Sequence, residues 1–255
     1  MKLSVIVPVY NEEQELEAII ERFIATPCPV EREWIFVDDR STDASLQILE
    51  RLKARHNFRL IAQPVNMGKG AAVIHGIQEA TGDVIVIQDA DWEYDPDDIP
   101  TLIQPILDNK ADVVYGSRFR QTSPQIHRTY HYFVNRYLTL LSNLFSGIYL
   151  SDMETCYKVF RADLLKAMRL RSQRFGIEVE MTAYIAKTRA RVFELPISYH
   201  PRTQLEGKKI NWKDGVAALY HLVNFNFATS RTEAFQNLPP RYDPAIPRNL
   251  KETHV

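Results

Sequence analysis

The sequence has little cysteine and no long apolar run. Its two cysteines, Cys28 and Cys156, lie far apart without a CxxC spacing, which argues against a disulfide framework and favours a reducing, cytoplasmic compartment. The short apolar run near the N-terminus turns acidic at Glu12, unlike a secretory signal. No stretch of about 18 uncharged apolar residues occurs, so we expect no transmembrane helix.

Each half of the chain is poor in charge of one sign. Residues 1–100 carry nine Lys and Arg against nineteen Asp and Glu, whereas residues 101–255 carry 22 and 13. An acidic half suits a metal site, and a basic half suits an anionic partner such as a phosphate or a membrane surface. Solvated helix faces are the alternative explanation. The acidic first half and the lack of a nucleic-acid motif predict no nucleic-acid binding.

Short β-branched runs alternate with longer segments of helical spacing through the first 116 residues. The predicted strands are Leu3–Val9, Trp34–Val37, Phe58–Ile61, Val84–Ile87 and Val113–Tyr115; the predicted helices are Glu12–Ile24, Ala44–Arg55, Lys69–Glu79 and Ile99–Leu107. This alternation predicts an α/β fold with a mostly parallel sheet and helices on both faces. Ligands of such folds bind at the edge formed by the carboxyl ends of the strands.

Acidic side chains follow the predicted strand Val84–Ile87. Asp89 and Asp91 stand at i and i+2, and Glu93 follows as a possible third ligand. Mg²⁺ and Mn²⁺ prefer such oxygen ligands and leave positions open for substrate phosphates. A solvated acidic turn is the alternative, but the preceding buried-looking strand and the other polar loops favour a metal site.

Two further loops carry polar residues to the same edge. Asp38 and Asp39 follow the second strand, where they are candidates to contact a base or a ribose. The run Asn66–Gly70 precedes a helix, and its glycines with Lys69 predict a phosphate cradle at the helix N-terminus. Its spacing is not that of a P-loop, and no GxGxxG follows the first strand, which argues against a dinucleotide oxidoreductase.

The segment 117–150 is basic at its start and apolar towards its end. Its candidate acceptor-binding residues are Arg118, Arg128, His131 and Arg136. Apolar residues recur at helical spacing over 126–148, which predicts a helix lying in a membrane interface beside a phosphate head group. A core helix packed on the sheet is the alternative.

Four motifs in order, VIVPVYNEE, FVDDRSTD, NMGKG and QDADWEYDP, resemble those of the inverting glycosyltransferases of family 2, which have a GT-A fold. Further on, SDMETCYKVFR, FGIEVEM and YHPRTQLEGKKINWKDG resemble the branch of dolichyl- and polyprenyl-phosphate mannose and glucose synthases. The resemblance covers the chain to about residue 228. It implies a GT-A domain over 1–228, with a nucleotide-sugar and metal half (1–116) and an acceptor half (117–228). We expect residues 229–255 to form an extended or disordered tail.

The resemblance also implies roles for individual residues. The implied donor-binding residues are Pro8, Tyr10, Asn11, Glu12, Asp38, Asp39, Lys69 and Asp89; the implied metal ligands are Asp89, Asp91 and Glu93; the implied catalytic residues are Asp91, Asp152 and Arg202. Asp152 would act as a general base on a hydroxyl acceptor and would only position an acceptor phosphate, which is already ionised. Arg40 departs from the family pattern, which has glycine there.

We therefore expect a metal-dependent inverting enzyme that moves a hexose from a UDP- or GDP-sugar to a polyprenyl phosphate. It would act as a peripheral protein on the cytoplasmic membrane face with Mg²⁺ or Mn²⁺. Two alternatives stay open: a soluble or cell-envelope hydroxyl acceptor, and a non-catalytic nucleotide-sugar-binding protein, which only Arg40 favours.

Overall fold

The computed structural model describes residues 1–120, 129–174, 176–201 and 212–247. The strands are β1 (Lys2–Val9), β2 (Glu31–Asp38), β3 (Arg59–Ala62), β4 (Val84–Ile87), β5 (Val113–Ser117), β6 (Lys158–Arg161) and β7 (Val192–Pro196). The α-helices are α1 (Leu16–Ala25), α2 (Ser45–Lys53), α3 (Lys69–Glu79), α4 (Ile99–Leu107), α5 (Thr129–Ser146), α6 (Ala162–Ala167), α7 (Ile177–Ala186), α8 (Trp212–Val223) and α9 (Arg231–Ala234).

The strands form one seven-stranded sheet in the order β3-β2-β1-β4-β6-β5-β7. Pairing is parallel between β1 and β2, β1 and β4, β2 and β3, and β5 and β7. β6 runs antiparallel to both of its neighbours, β4 and β5. The mostly parallel α/β sheet is confirmed. Because β6 is reversed, the chain that enters it lies at the same edge as the chain that leaves β4 and β5.

Apolar periodicity explains how the first half folds. Inside the sheet β1 is apolar on both faces, and Leu3, Ile6 and Val7 have no exposed surface. Helix α1 buries Leu16, Ile19, Ile20 and Phe23, the i, i+3, i+4, i+7 stripe of an amphipathic helix. Burial of each large apolar side chain contributes about 1.5–3 kcal/mol. This packing fixes the strand ends that carry the candidate site.

The described part of the expected tail is packed against the domain. Residues 229–247 contain α9 and a 3₁₀ turn at Pro240–Tyr242. Phe235 forms a β-bridge with Met168, and both Phe235 and Tyr242 are buried. A composition poor in apolar residues suggested disorder, but the few large apolar side chains present are enough to anchor this segment. Residues 248–255 lie outside the described residues.

Helix α5 lies within the helix predicted over 126–148 but ends at Ser146, and it packs against α7 and α8. Residues 126–128 lie outside the described residues. Helix α8 continues as a π-helix over Asn224–Ala228. Among the described residues, no helix is long and apolar enough to cross a membrane.

Candidate active site

The loops after β1 and β2 are joined to each other by hydrogen bonds. The side-chain oxygen of Asn11 accepts from the backbone N–H of Thr42 at 2.8 Å. The backbone N–H of Asn11 donates to Ser41 Oγ at 3.1 Å. The backbone N–H of Asp39 donates to the carbonyl of Val9 at 2.8 Å. The predicted donor residues of both strand ends therefore lie in one rigid rim.

Tyr10 and Glu12 lie in this rim, in the loop that follows β1; Pro8 is the second-last residue of that strand. The backbone N–H of Glu12 donates to Ser45 Oγ at 2.9 Å, which ties the loop to the start of α2. The structure thus brings together the four residues expected in the first nucleotide-binding loop.

Asp39 and Asp38 differ in their hydrogen bonding. Asp39 Oδ1 accepts from Gln63 Nε2 at 2.8 Å and from the N–H of Met67 at 2.7 Å, while Oδ2 accepts from the N–H of Gly68 at 2.7 Å. Asp38 accepts one bond at Oδ2, and its buried Oδ1 has no hydrogen-bond partner among the described residues. Asp39 therefore organises the loop 63–68, whereas Asp38 keeps an oxygen with no partner among the described residues.

Arg40 has a left-handed backbone with φ = 61°. Glycine adopts this conformation without steric cost, which explains why the resembling motif has glycine at this position. The Arg40 side chain is exposed. Arginine therefore keeps the loop conformation at an energetic cost, and the departure from the motif does not remove the loop.

The glycines before α3 make room for another part of the chain. A Cβ on Gly70 would lie 2.0 Å from the carbonyl oxygen of Ser172, and one on Gly68 would lie 2.6 Å from that of Gln173. The N–H of Ala71 donates to the Gln173 carbonyl at 3.0 Å. A protein oxygen thus accepts from one N–H of this helix start, that of Ala71, and the phosphate cradle stays a prediction.

Lys69 lies between two carboxylates. Its Nζ is 2.8 Å from Asp89 Oδ1, 3.1 Å from Asp89 Oδ2 and 3.2 Å from Glu178 Oε1. Burial alone would lower the pKa of Lys69, but Asp89 and Glu178 outweigh it and hold this pKa well above its usual value. The ammonium is therefore charged and neutralises Asp89.

The three residues expected to bind a metal do not converge. Asp91 Oδ1 accepts from the N–H of Glu93 at 3.0 Å, and Glu93 Oε2 accepts from the Tyr199 hydroxyl at 3.0 Å. Nowhere in the described ranges do three or more His, Cys, Asp or Glu side chains form a group that could hold a metal. Asp89 and Asp91 still supply the one or two carboxylates that Mg²⁺ or Mn²⁺ needs when a diphosphate and water complete its shell. These residues fit a cation that binds together with a diphosphate.

Arg118 and Asp152 form a buried bidentate pair. Nε and Nη2 of Arg118 each donate to Asp152 at 2.7 Å, and its backbone N–H adds a bond of 3.0 Å. Glu194, on β7, accepts from the N–H groups of Ser151 and Asp152 at 2.8 and 3.1 Å. Asp152 has no exposed surface. The arrangement fixes the guanidinium of Arg118 at the end of β5.

A second arginine joins Arg118 on the acceptor side. The Arg118 and Arg136 guanidinium carbons lie 5.7 and 5.6 Å from the centre of the Phe119 ring, and Arg136 donates to the Ser151 carbonyl at 3.0 Å. The structure thus brings together two of the four expected acceptor-binding residues. Arg128 and Arg202 lie outside the described residues, and His131 is described only by its helical backbone in α5.

A buried polar cluster lies beneath the site. Glu154 Oε1 and Glu178 Oε2 are buried without a hydrogen-bond partner among the described residues. Burial, together with the charge of Glu178, raises the pKa of Glu154 to about 7, and burial lowers the pKa of the neighbouring Lys158. Such shifts are common where a protein handles charged substrates.

A model of the family described as Glycosyl transferase family 2 matches residues 4–169. The chain belongs to this family. It is 28% identical over 206 residues to a dodecaprenyl-phosphate galacturonate synthase of Rhizobium johnstonii, which covers 79% of this chain and 60% of the relative. It is 38% identical over 119 residues to a dolichol-phosphate mannosyltransferase of Pyrococcus furiosus, which covers 47% of this chain and 34% of the relative. The chain thus spans less than two thirds of either relative.

Solved structures share the fold. A glucosyl-3-phosphoglycerate synthase from Mycobacterium tuberculosis, in complex with Mn²⁺, UDP and glucosyl-3-phosphoglycerate, superposes with a TM-score of 0.66 at 18% identity. The match covers 88% of this chain and 80% of that one. This confirms the GT-A fold of the family 2 domain.

Sequence reasoning missed several residues of this family 2 site. Glu194, Glu154 and Lys158 all contact or underlie the Arg118–Asp152 side. Lys158 gave a usable signal, because a lysine between Tyr157 and Val159 interrupts an apolar run. Glu194 gave none, since its partner loop lies more than 40 residues away in the chain.

Proposed function

We propose that this chain is a metal-dependent inverting glycosyltransferase that moves a hexose from a nucleoside-diphosphate sugar to a polyprenyl phosphate. The observation that carries this proposal is the meeting, at one sheet edge, of two chemically different sides. Asp89 and Asp91 lie on the donor side, and the Arg118–Asp152 pair lies on the acceptor side. Both curated relatives named above are polyprenyl- or dolichol-phosphate enzymes, which supports this choice of acceptor.

On the donor side, Asp38 and Asp39 would contact the base and the ribose, and Lys69 and Asp89 would lie beside the diphosphate. Asp89 and Asp91 would hold the divalent cation, which supplies charge neutralisation for the departing diphosphate. Lys69 adds a positive charge close to the same group. Asp38 Oδ1, which has no hydrogen-bond partner in the described ranges, supports a contact with the donor, because a ribose hydroxyl would donate to it.

On the acceptor side, two guanidinium groups beside Phe119 suit a phosphate head group. A phosphate oxygen would attack the anomeric carbon in line with the departing diphosphate, forming one C–O bond as the other breaks. This nucleophile is already ionised and needs no base. Asp152 is fully engaged with Arg118, which supports a positioning role and disfavours the hydroxyl-acceptor alternative.

An apolar surface supports a peripheral position on the membrane. We call this surface the α5–α8 face; it consists of Phe133, Tyr137, Leu140, Leu144, Tyr220, Val223 and Phe227. These side chains are between 52% and 68% exposed. Phe145 and Phe227 join the two helices through a ring contact of 5.1 Å, and Phe119 joins the site to α5 through Tyr132 at 5.4 Å. Seven exposed apolar side chains of this kind suit the lipid interface from which a polyprenyl acceptor would be taken.

The deciding experiment is a transfer assay with the purified chain, UDP- and GDP-sugars, Mn²⁺ or Mg²⁺, and a short polyprenyl phosphate. We expect cation-dependent transfer to the lipid phosphate and its loss in Asp91→Ala with the fold intact. Transfer to a hydroxyl acceptor instead would overturn the proposal that the acceptor is a polyprenyl phosphate. Full activity of Asp91→Ala would overturn the metal assignment, and absence of donor binding would favour the non-catalytic alternative.

A further inference from the structure

The Lys69 ammonium is paired with the Asp89 carboxylate, which is one of the proposed ligands of the divalent cation. Both oxygens of Asp89 lie within 3.1 Å of Lys69 Nζ. The Lys69 and Asp89 side chains are only 18% and 21% exposed, so bulk water screens this pair weakly. A divalent cation that binds Asp89 would therefore compete with this ammonium for the same carboxylate oxygens.

Glu178 is an alternative ion-pair partner for the Lys69 ammonium. Its Oε1 is already 3.2 Å from Lys69 Nζ, and its Oε2 is buried with no hydrogen-bond partner in the described part of the chain. The Glu178 side chain is 9% exposed and lies in the first turn of α7, within the core. A short movement of Nζ from Asp89 towards Glu178 would satisfy Oε2 and keep the lysine paired.

We propose that Lys69 and the divalent cation compete for Asp89, and that Glu178 is the positioning residue that receives the Lys69 ammonium when the cation binds. This inference rests on the proposed donor side of the function. It predicts that the protein without nucleotide binds the cation weakly, because the cation must displace a partly buried ion pair. Binding improves when a diphosphate supplies further oxygen ligands to the cation.

Mn²⁺ binding to the full chain without nucleotide, followed by electron paramagnetic resonance, tests the exchange. Lys69→Met should bind Mn²⁺ about tenfold more tightly, and Glu178→Gln about tenfold more weakly, as is typical of coupled charges in contact. In the Lys69→Met background, Glu178→Gln should have no further effect. Lys69→Arg, which keeps the charge, should retain weak binding.

Two results would overturn the proposal. One is Mn²⁺ affinity that does not rise in Lys69→Met. The other is equal weakening by Glu178→Gln in both backgrounds, which would show a simple loss of negative charge. Glu79→Gln is the control for the loss of one carboxylate: Glu79 ends α3, pairs with Arg59 and should leave Mn²⁺ affinity unchanged. The Mn²⁺ titration contains no acceptor, so a failure of transfer to the lipid would not change its result. The two proposals can therefore fail separately.

Discussion

Arg118 and Asp152 hold each other by two parallel hydrogen bonds of 2.7 Å inside the candidate site. A third bond from the Arg118 backbone completes the arrangement, and no surface of Asp152 reaches solvent. A carboxylate bound in this way orients a guanidinium and is poorly placed to take a proton from an acceptor. This relationship makes the role of Asp152 testable.

Replacing Asp152 with Asn should lower kcat/KM without changing the shape of the pH–rate profile. Loss of one partner of a buried pair typically costs about 3–5 kcal/mol, so Asp152→Asn should also lower the free energy of unfolding. If Asp152 were a general base, the rate of the wild type would fall at low pH as this carboxylate took up a proton, and the variant would not show that fall. Steady-state kinetics from pH 5 to 9 distinguish the two roles, and loss of that fall in the variant would contradict positioning.

Arg40→Gly should stabilise the protein. A non-glycine residue in the left-handed region costs about 1–2 kcal/mol, and the greater freedom of glycine in the unfolded chain offsets part of this gain. We expect a net increase of about 0.5–1 kcal/mol in urea unfolding. Arg40→Ala is the control, since it removes the side chain but keeps a Cβ. Equal stabilisation by both variants would place the effect in the side chain and not in the backbone.

Glu154 should make stability depend on pH in an unusual direction. Its pKa of about 7 exceeds the value of about 4.3 expected in an unfolded chain. Between these values the folded protein holds a proton that the unfolded chain has released. The free energy of unfolding therefore falls as the pH rises from about 4.5 to 7 and stays lowered above that.

Glu154→Gln removes this loss. The difference in melting temperature between this variant and the wild type should be larger at pH 8 than at pH 5. Each kcal/mol of free energy of unfolding corresponds to about 2–4 °C. Glu180→Gln provides the contrast, because it loses hydrogen bonds from Arg171 and Ser172 and should be less stable at pH 8. A wild-type melting temperature that rises between pH 5 and 8 relative to Glu154→Gln would refute the assignment.

Gly70→Ala should destabilise the protein through a clash with the Ser172 carbonyl, which is backbone and cannot turn aside. Overpacking of this kind typically costs about 1–3 kcal/mol, and the displaced loop should also weaken nucleotide binding. Gly147→Ala serves as the comparison, because its Cβ would meet nothing within 4 Å although its φ is 74°. Equal effects on nucleotide affinity would rule out the contact as the cause.

Leu144→Asp and Leu140→Asp should reduce binding to vesicles of phosphatidylcholine and phosphatidylglycerol, because both side chains lie on the exposed α5–α8 face. Ile246→Asp changes an exposed apolar residue elsewhere and should bind like the wild type. Co-sedimentation measures the effect, and unchanged melting temperatures exclude unfolding. Undiminished vesicle binding by both leucine variants would contradict a membrane role for this face.

The donor half could be predicted because its signals are local. Apolar runs such as Val84–Ile87 and the stripe of α1 define their elements within a few residues, and the loops that follow carry the acids. The structure adds what distance along the chain conceals. The glycines of NMGKG suggested a ligand, but in the structure they make room for the carbonyl groups of Ser172 and Gln173, about 100 residues later.

The acceptor half was harder to predict because its contacts join distant segments. β6 is only four residues long and begins and ends with a charged residue, so periodicity gave no strand there. The pairing of Arg118 with Asp152, and of Glu194 with the loop before β6, depends on that unpredicted strand. The sequence indicated which residue types matter on this side but not their partners.

The reversed strand has a consequence for the newly made chain. β4 ends at Ile87, but its neighbour β6 begins only at Lys158, and β5 gains its other neighbour, β7, later still. At the pace of ribosomal synthesis, β4 presents an open edge for on the order of ten seconds. Unpaired edges of apolar strands invite aggregation. Truncations before Arg161 should therefore be insoluble, and production of this protein should respond to chaperones that shield nascent strands.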